Sequence, residues 1–186
     1  SRLLGRGDRE TADRAASTAL YSSIFVGAAV ILCAVIFLKP LLKCLGATDS
    51  ILPYAVTYAG IYVVSSIFNV FNVTMNNIVT SEGAARTTMC VLLTGAAFNM
   101  VLDPVFIYVL KLGVAGAAIA TAISQAVSTL IYLYYVISGR SMFSFRFRNC
   151  CFSNEIMSEI LKIGIPTLAF QLLTSLSITM INMQAK

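Results

Sequence analysis

Histidine is absent from the chain, and charged residues make up only 11% of its 186 positions. Losing histidine removes both the commonest metal ligand and the commonest proton carrier near neutral pH. The five cysteines, Cys33, Cys44, Cys90, Cys150 and Cys151, contain no C-x-x-C pair and no even framework of loop cysteines. That pattern argues against a zinc site and a disulfide scaffold and leaves them as small apolar fillers. The opening, SRLLGRGDRETADRAAS, is polar, carries no signal-peptide core and has no initiator Met. With the abrupt ending TMINMQAK it leads us to expect a piece of a longer protein.

What is abundant is hydrocarbon: 58% of residues are hydrophobic and the mean hydropathy is +0.85, outside the usual range of a water-soluble domain. Crossing a bilayer takes about 20 apolar residues per helix. Five blocks meet that length: Thr18 to Leu38, Leu52 to Val79, Thr88 to Leu110, Val114 to Ile137, and Leu161 to the end. The expected fold is therefore all-α, a polytopic transmembrane helix bundle.

The net charge of +5 gives no reason to expect a nucleic-acid partner, because the basic residues sit between the apolar blocks rather than along one face. If the opening segment is cytoplasmic, its side of the membrane collects Arg2, Arg6, Arg9, Arg14, Arg86, Arg140, Arg146, Arg148 and Lys162. The opposite side collects Lys39, Lys43 and Lys111. This is the asymmetry of the positive-inside rule, and it points to a multi-pass protein of the cell (plasma or inner) membrane with the lipid bilayer as a partner. The longest connection, Gly139 to Glu159, alternates arginine with aromatics in MFSFRFRNCCF. It reads as an interfacial helix on an anionic leaflet, with a specific regulatory site as the competing reading. Ser153 and Glu155 suit a helix start, and Gly164 and Pro166 predict a bend in the last span.

The spans carry polar stripes. In the second, Tyr58, Tyr62, Ser65, Ser66, Asn69, Asn72 and Asn76 recur at three- and four-residue intervals and share a helical face. Unpaired amides and hydroxyls are costly in lipid, so that face must meet other helices or a cavity. The fourth span sets Gly113, Ala117, Thr121, Ser124 and Ser128 along one edge with Gly116 and Ala120 beside it, a pattern for close helix packing. Its hydroxyls read either as packing groups or as ligands. The last span adds Gln171, Thr174, Ser175, Ile178 and Asn182.

Within NMVLDPVFIYV stands the one acid of the spans, Asp103, on the same face as Asn99 and directly before Pro104. An intramembrane carboxylate costs a few kcal/mol at least and usually marks an ion or proton pathway. The alternative is a structural aspartate satisfied by neighbouring Asn and Tyr groups. Pro104 donates no backbone hydrogen bond, so the carbonyl of Met100 is freed nearby. A carbonyl, an amide oxygen and a carboxylate could together hold a small cation. An intramembrane enzyme would need paired acids, a histidine or an activated Ser or Cys. A single Asp does not supply these, so no catalytic residues are expected.

Four segments in order, LGRGDRETADRAAS, NNIVTSEGAARTTM, NMVLDPVFIYVLKLGVAGAAIATAISQ and ILKIGIPTLAFQLL, together resemble the multidrug and toxic compound extrusion (MATE) transporters. The resemblance implies a twelve-span protein of two six-helix lobes, exporting organic cations or other amphipathic, drug-like compounds in exchange for Na+ or H+, with no other cofactor. This chain would then hold spans three to seven and lack a first-span aspartate that shares the cation site in many members. Residues 1–17 would be a cytoplasmic loop, 18–138 helices of the N-terminal lobe, 139–160 the cytoplasmic inter-lobe connection and 161–186 the start of the second lobe. By the same resemblance Asn99, Asp103 and Thr121 form the cation site, with Na+ at Asp103 the one metal implied. The resemblance also places Tyr58 and Asn76 on the cavity wall, the polar stripes add Tyr62, Asn69, Asn72 and Gln171 to it, and the full-length protein is expected to work as a monomer. The rival within transport is a lipid-linked saccharide flippase of the same superfamily, which would place cationic residues in the cavity; the spans hold none.

Overall fold

The computed structural model describes residues 9–44, 48, 50–143, 145 and 154–184, and every regular element among them is helical. The chain runs as α1 (Arg9–Ile36), a short α2 (Leu38–Cys44), α3 (Leu52–Ser81), α4 (Ala85–Pro104), a π-helical turn (Val105–Val109), α5 (Gly113–Ile137) and α6 (Asn154–Gln184). Four stretches are long and apolar enough to cross a membrane: Glu10–Ile36, Leu52–Ser81, Ala85–Val109 and Gly113–Ile137. They coincide with the first four expected spans. In α6 the apolar stretch among the described residues is shorter, Gly164–Ile178, although the helix itself is continuous through Pro166.

Helix α1 starts at Arg9, well before the expected Thr18, so residues 9–17 of the expected cytoplasmic loop are helical instead. The cause is local: RETADRAAST is rich in good helix formers, Glu10 lies in the first turn, and Glu10 pairs with Arg14 at 2.7 Å one turn on. The ion pair is exposed and contributes only a few tenths of a kcal/mol. Burial of Ala12, Ala16 and Leu20 on one face supplies the rest. The helix yields at Phe37, one turn ahead of Pro40, which falls in the first turn of α2 where its missing N–H costs nothing. The interfacial helix expected over Gly139 to Glu159 falls partly outside the described residues; those described between Gly139 and Phe143 form no helix.

Tight turns join α3, α4 and α5. After α3, Gly83 adopts φ 86°, and the bonds from Gly83 N to Thr80 O (3.0 Å) and Ala84 N to Val79 O (3.2 Å) close the helix end in a Schellman manner. Pro104 does not end α4. The chain passes into a π turn, with Leu110 N bonded to Val105 O at 3.0 Å and Leu112 N to Phe106 O at 3.1 Å. Lys111 (φ 54°) and Gly113 (φ 55°) then reverse the direction.

Helix α5 is the central element, packed against α3, α4 and the π turn, while α1 lies on the far side of α3 and touches neither α4 nor α5 extensively. Small residues permit the close approach. A Cβ on Gly95 would sit 2.5 Å from Ser128 Oγ, and one on Gly116 would sit 2.7 Å from the carbonyl oxygen of Phe106. The apolar core gathers at the end that carries the α3–α4 turn: Ala12, Ala16 and Leu20 of α1, Met75, Ile78 and Val79 of α3, Val91 of α4, Tyr132 and Tyr135 of α5, and Phe143. Outward faces are apolar too, with Phe25, Met100 and Ile137 at least three-quarters exposed. That is the surface of a helix bundle solvated by lipid.

The Gly116 contact involves backbone, which cannot swing aside. Gly116→Ala is expected to cost about 1–3 kcal/mol by overpacking. Gly60→Ala, whose Cβ would meet only Leu38 Cδ2 at 3.7 Å, is expected to be neutral or to stabilise by up to about 1 kcal/mol through helix propensity. Thermal unfolding of the two variants in detergent checks this: the midpoint falls for G116A alone.

Candidate functional site

Helices α3, α4 and α5 line a cavity of about 420 Å³ that is open on one side. Its polar lining is mostly carboxamide: Asn69, Asn72, Asn76 and Asn77 from α3, Asn99 from α4 and Gln125 from α5, with Thr121, Ser124 and Ser128 between them. No side chain with a formal charge lines it. Below it, Val91 and Tyr132 belong both to the cavity wall and to the apolar core, so that end is closed by dry packing.

The expected cation-site residues do come together, at the opposite end. Asn99 Nδ2 donates to Asp103 Oδ1 at 3.4 Å and to Thr121 Oγ1 at 3.3 Å, and Thr121 passes its own hydrogen to the carbonyl of Ala117 at 2.9 Å. Asn99 and Thr121 line the cavity, whereas Asp103 is half-buried and stands beyond the lining, joined to it through Asn99. The amide turns its N–H groups, not its oxygen, toward the carboxylate. The cage of three oxygens expected from the sequence is therefore not assembled in this arrangement.

The other sequence-derived residues divide into two groups. Asn69, Asn72 and Asn76 line the cavity. Asn72 is gripped at both ends: its Nδ2 donates to the carbonyl of Gln125 at 2.9 Å and its Oδ1 accepts from Thr129 at 3.0 Å. Asn76 donates to the hydroxyl of Tyr132 at 3.2 Å. Tyr58 and Tyr62 are exposed near the start of α3, stacked on each other with centroids 6.1 Å apart, and do not line the cavity. Gln171 lies on α6, where every side chain described is exposed, and likewise does not line it. Among the described residues no three His, Cys, Asp or Glu gather.

Besides Asn77, which lines the cavity next to Asn76, sequence reasoning passed over two residues. Glu82, the only acid between the second and third spans, accepts from Tyr135 at 3.1 Å and from Ser141 at 2.5 Å. Ser141 in turn accepts from the backbone N–H of Phe143 at 3.2 Å. Tyr21 of α1 donates to the carbonyl of Phe145 at 3.3 Å. The segment leaving α5 is thereby fastened to the closed end of the bundle, with Phe143 buried. The other is Gln125, the sole carboxamide of α5, whose isolation in a stripe of small residues was the available signal.

Four membrane-length helices, three of which line a cavity dotted with carboxamides and hydroxyls, define a multi-pass membrane protein of the transporter kind. The comparisons make this specific. A sequence model described as MatE matches residues 1–105, and the chain belongs to that family, the MATE transporters. It is 30% identical over 183 residues, 98% of its length, to the multidrug export protein MepA of Staphylococcus aureus, of which it covers 41%. Among solved structures it is similar to an inward-facing multidrug resistance MATE transporter of the MOP superfamily (TM-score 0.84, 33% identity, 89% of this chain and 38% of that one). It is also similar to a MATE protein in complex with MaL6 (TM-score 0.91, 32% identity, 97% and 40%). The chain thus spans about two fifths of the length of the relatives it matches.

The Glu82 contacts predict a measurable tether. Glu82→Ala is expected to make the bond after the exposed Arg140 more open to trypsin by roughly 5- to 30-fold, the effect of losing about 1–2 kcal/mol of local closure. Time courses of cleavage in detergent check it, with Glu82→Gln, which keeps an acceptor, falling between.

Proposed function

We propose that this chain serves secondary active efflux of drug-like organic cations or amphipathic compounds across the cell membrane, in exchange for Na+ or H+. Its functional unit would be the full-length monomer. The observation that carries the reading is the link from Asp103 through Asn99 and Thr121 to the cavity wall. A change at the carboxylate reaches the cargo space through one amide.

The ionised carboxylate attracts the Asn99 N–H. Uptake of a proton or of Na+ removes that attraction, and the amide is released to turn. Turned, it would present its oxygen to a bound cation, completing an oxygen set with Asp103 and Thr121. Either event alters the hydrogen-bonding groups offered along the wall, so cargo and coupling ion bind different arrangements of the same residues and displace one another. The π turn directly after Pro104 is the natural place for α4 to adjust, since a widened turn is easily redistributed. The MepA proteins are named for multidrug export, in keeping with this reading. The flippase alternative is not favoured, because no basic side chain lines the cavity to meet a pyrophosphate.

Asp103→Asn retains size and hydrogen bonding, so folding should change by less than about 1 kcal/mol, while ion-driven export drops to background. Ethidium efflux from proteoliposomes bearing the intact transporter, energised by a Na+ or a proton gradient, reads both the effect and the ion. Normal export by the variant would refute the role of Asp103.

A further inference from the structure

Gln125 lines the cavity, and its Oε1 is the one buried side-chain polar atom among the described residues without a hydrogen-bond partner. Its neighbours are in a different situation. Asn72 is committed at both ends, Asn76 donates to Tyr132, and both N–H groups of Asn99 are spent on Asp103 and Thr121. The serines of α5 satisfy themselves on their own helix, Ser124 on the carbonyl of Ala120 and Ser128 on that of Ser124.

Gln125 is also held firmly at its base. Its backbone carbonyl accepts from Asn72 Nδ2 at 2.9 Å, which pins α5 to α3 at this level. The free end is therefore not the product of a loose segment. A buried acceptor without a donor is a standing cost, and a methionine would fill the same space without it. The terminal amide can turn about its last bond, a broad torsion with little preference, and so bring the oxygen round into the cavity.

We infer that Gln125 is a specificity-determining residue that gives its carbonyl oxygen to an N–H group of the cargo. The inference rests on the export reading above and narrows its substrate class. Cations bearing amino or ammonium hydrogens are preferred over quaternary ammonium or phosphonium ions of similar size. Discrimination arises because only a cargo with a donor gives the oxygen, once turned into the cavity, a hydrogen-bond partner.

The test compares ethidium, which carries two aromatic amino groups, with tetraphenylphosphonium, which has no donor. Both are measured for binding and export by the intact transporter and its Gln125→Met variant. Q125M is expected to weaken ethidium roughly tenfold, the order of one buried hydrogen bond, and to leave tetraphenylphosphonium within about twofold. Equal loss of both, or loss of neither, overturns the assignment. Should Q125M fail to reach the membrane, Gln125→Asn, which withdraws the oxygen by one methylene, is expected to lower the ethidium-to-phosphonium ratio, and an unchanged ratio overturns it. A native protein that exports neither cation against a Na+ or proton gradient fails at the level of the export reading and takes this inference with it. Native export with an indifferent variant fails this inference alone.

Discussion

Hydrocarbon offers no hydrogen bonds, and the arrangement of this bundle follows from that. Each amide and hydroxyl placed on a membrane-spanning helix must find its partner on another helix, on its own backbone or in an enclosed wet space. Ser, Thr and small residues solve the problem locally, as Thr74 does on Val70 and Thr94 on Cys90. Asparagine has too many polar atoms for that. Asn72 and Asn76 of α3 therefore reach across to α5, and α5 in turn has to be slender enough for α3 and α4 to approach it. The glycine and alanine at positions 116 and 120 and the asparagines at 72, 76 and 99 are thus one design seen from three helices.

This convergence gives the two ends of the cavity different characters. At the end with the α3–α4 turn, Met75, Ile78, Val79, Val91 and Tyr132 pack together with Thr88 buried nearby, and Glu82 gathers Tyr135 and Ser141 above them. Nothing there can shift without breaking several contacts at once. At the other end α4 carries a proline, a π turn and a reversal through Lys111, a non-glycine residue at positive φ. Strain and missing backbone bonds are concentrated on the side that holds Asp103. The end with the α3–α4 turn is thus the densely packed one, and the opposite end carries the irregular backbone.

How much of this was legible beforehand depended on how local the determining physics is. The helical class and four of the spans follow from length and composition, and the α3 stripe follows from its spacing. The face of a helix is fixed by periodicity, but periodicity alone does not say how far along the helix the partner extends. That is why Asn69, Asn72 and Asn76 meet the cavity while Tyr58 and Tyr62, on the same stripe, lie beyond its reach and stack on each other instead. Gln171 sits on a helix whose described side chains are all exposed, so its spacing had no partner to specify. Glu82 and Gln125 were missed for the same reason: each is an isolated residue whose role comes from a helix more than fifty positions away or from the want of a partner, and neither leaves a repeat in the sequence. The early start of α1 at Arg9 was readable from propensity, but hydropathy, which marks only where lipid begins, hid it.

On the export reading proposed above, the position of Asp103 just outside the cavity lining bears on how the site would couple two ligands. A carboxylate inside the cargo space would bind cationic cargo directly, and ion and cargo would compete for one set of oxygens. Here an amide stands between them, and its bonds to Asp103 and Thr121, at 3.4 and 3.3 Å, are long, beyond the usual 2.7–3.2 Å range. Long bonds are weak, and weak bonds are the ones a change of charge can reorder within the few kcal/mol that ligands supply. By contrast the bonds that hold Asn72 to α5 are 2.9 and 3.0 Å and keep the frame in register. On the export reading proposed above, coupling would need no large movement to begin: a charge change at the rim would rearrange Asn99 first, and the helix around Pro104 would follow only as far as the new hydrogen bonds drew it.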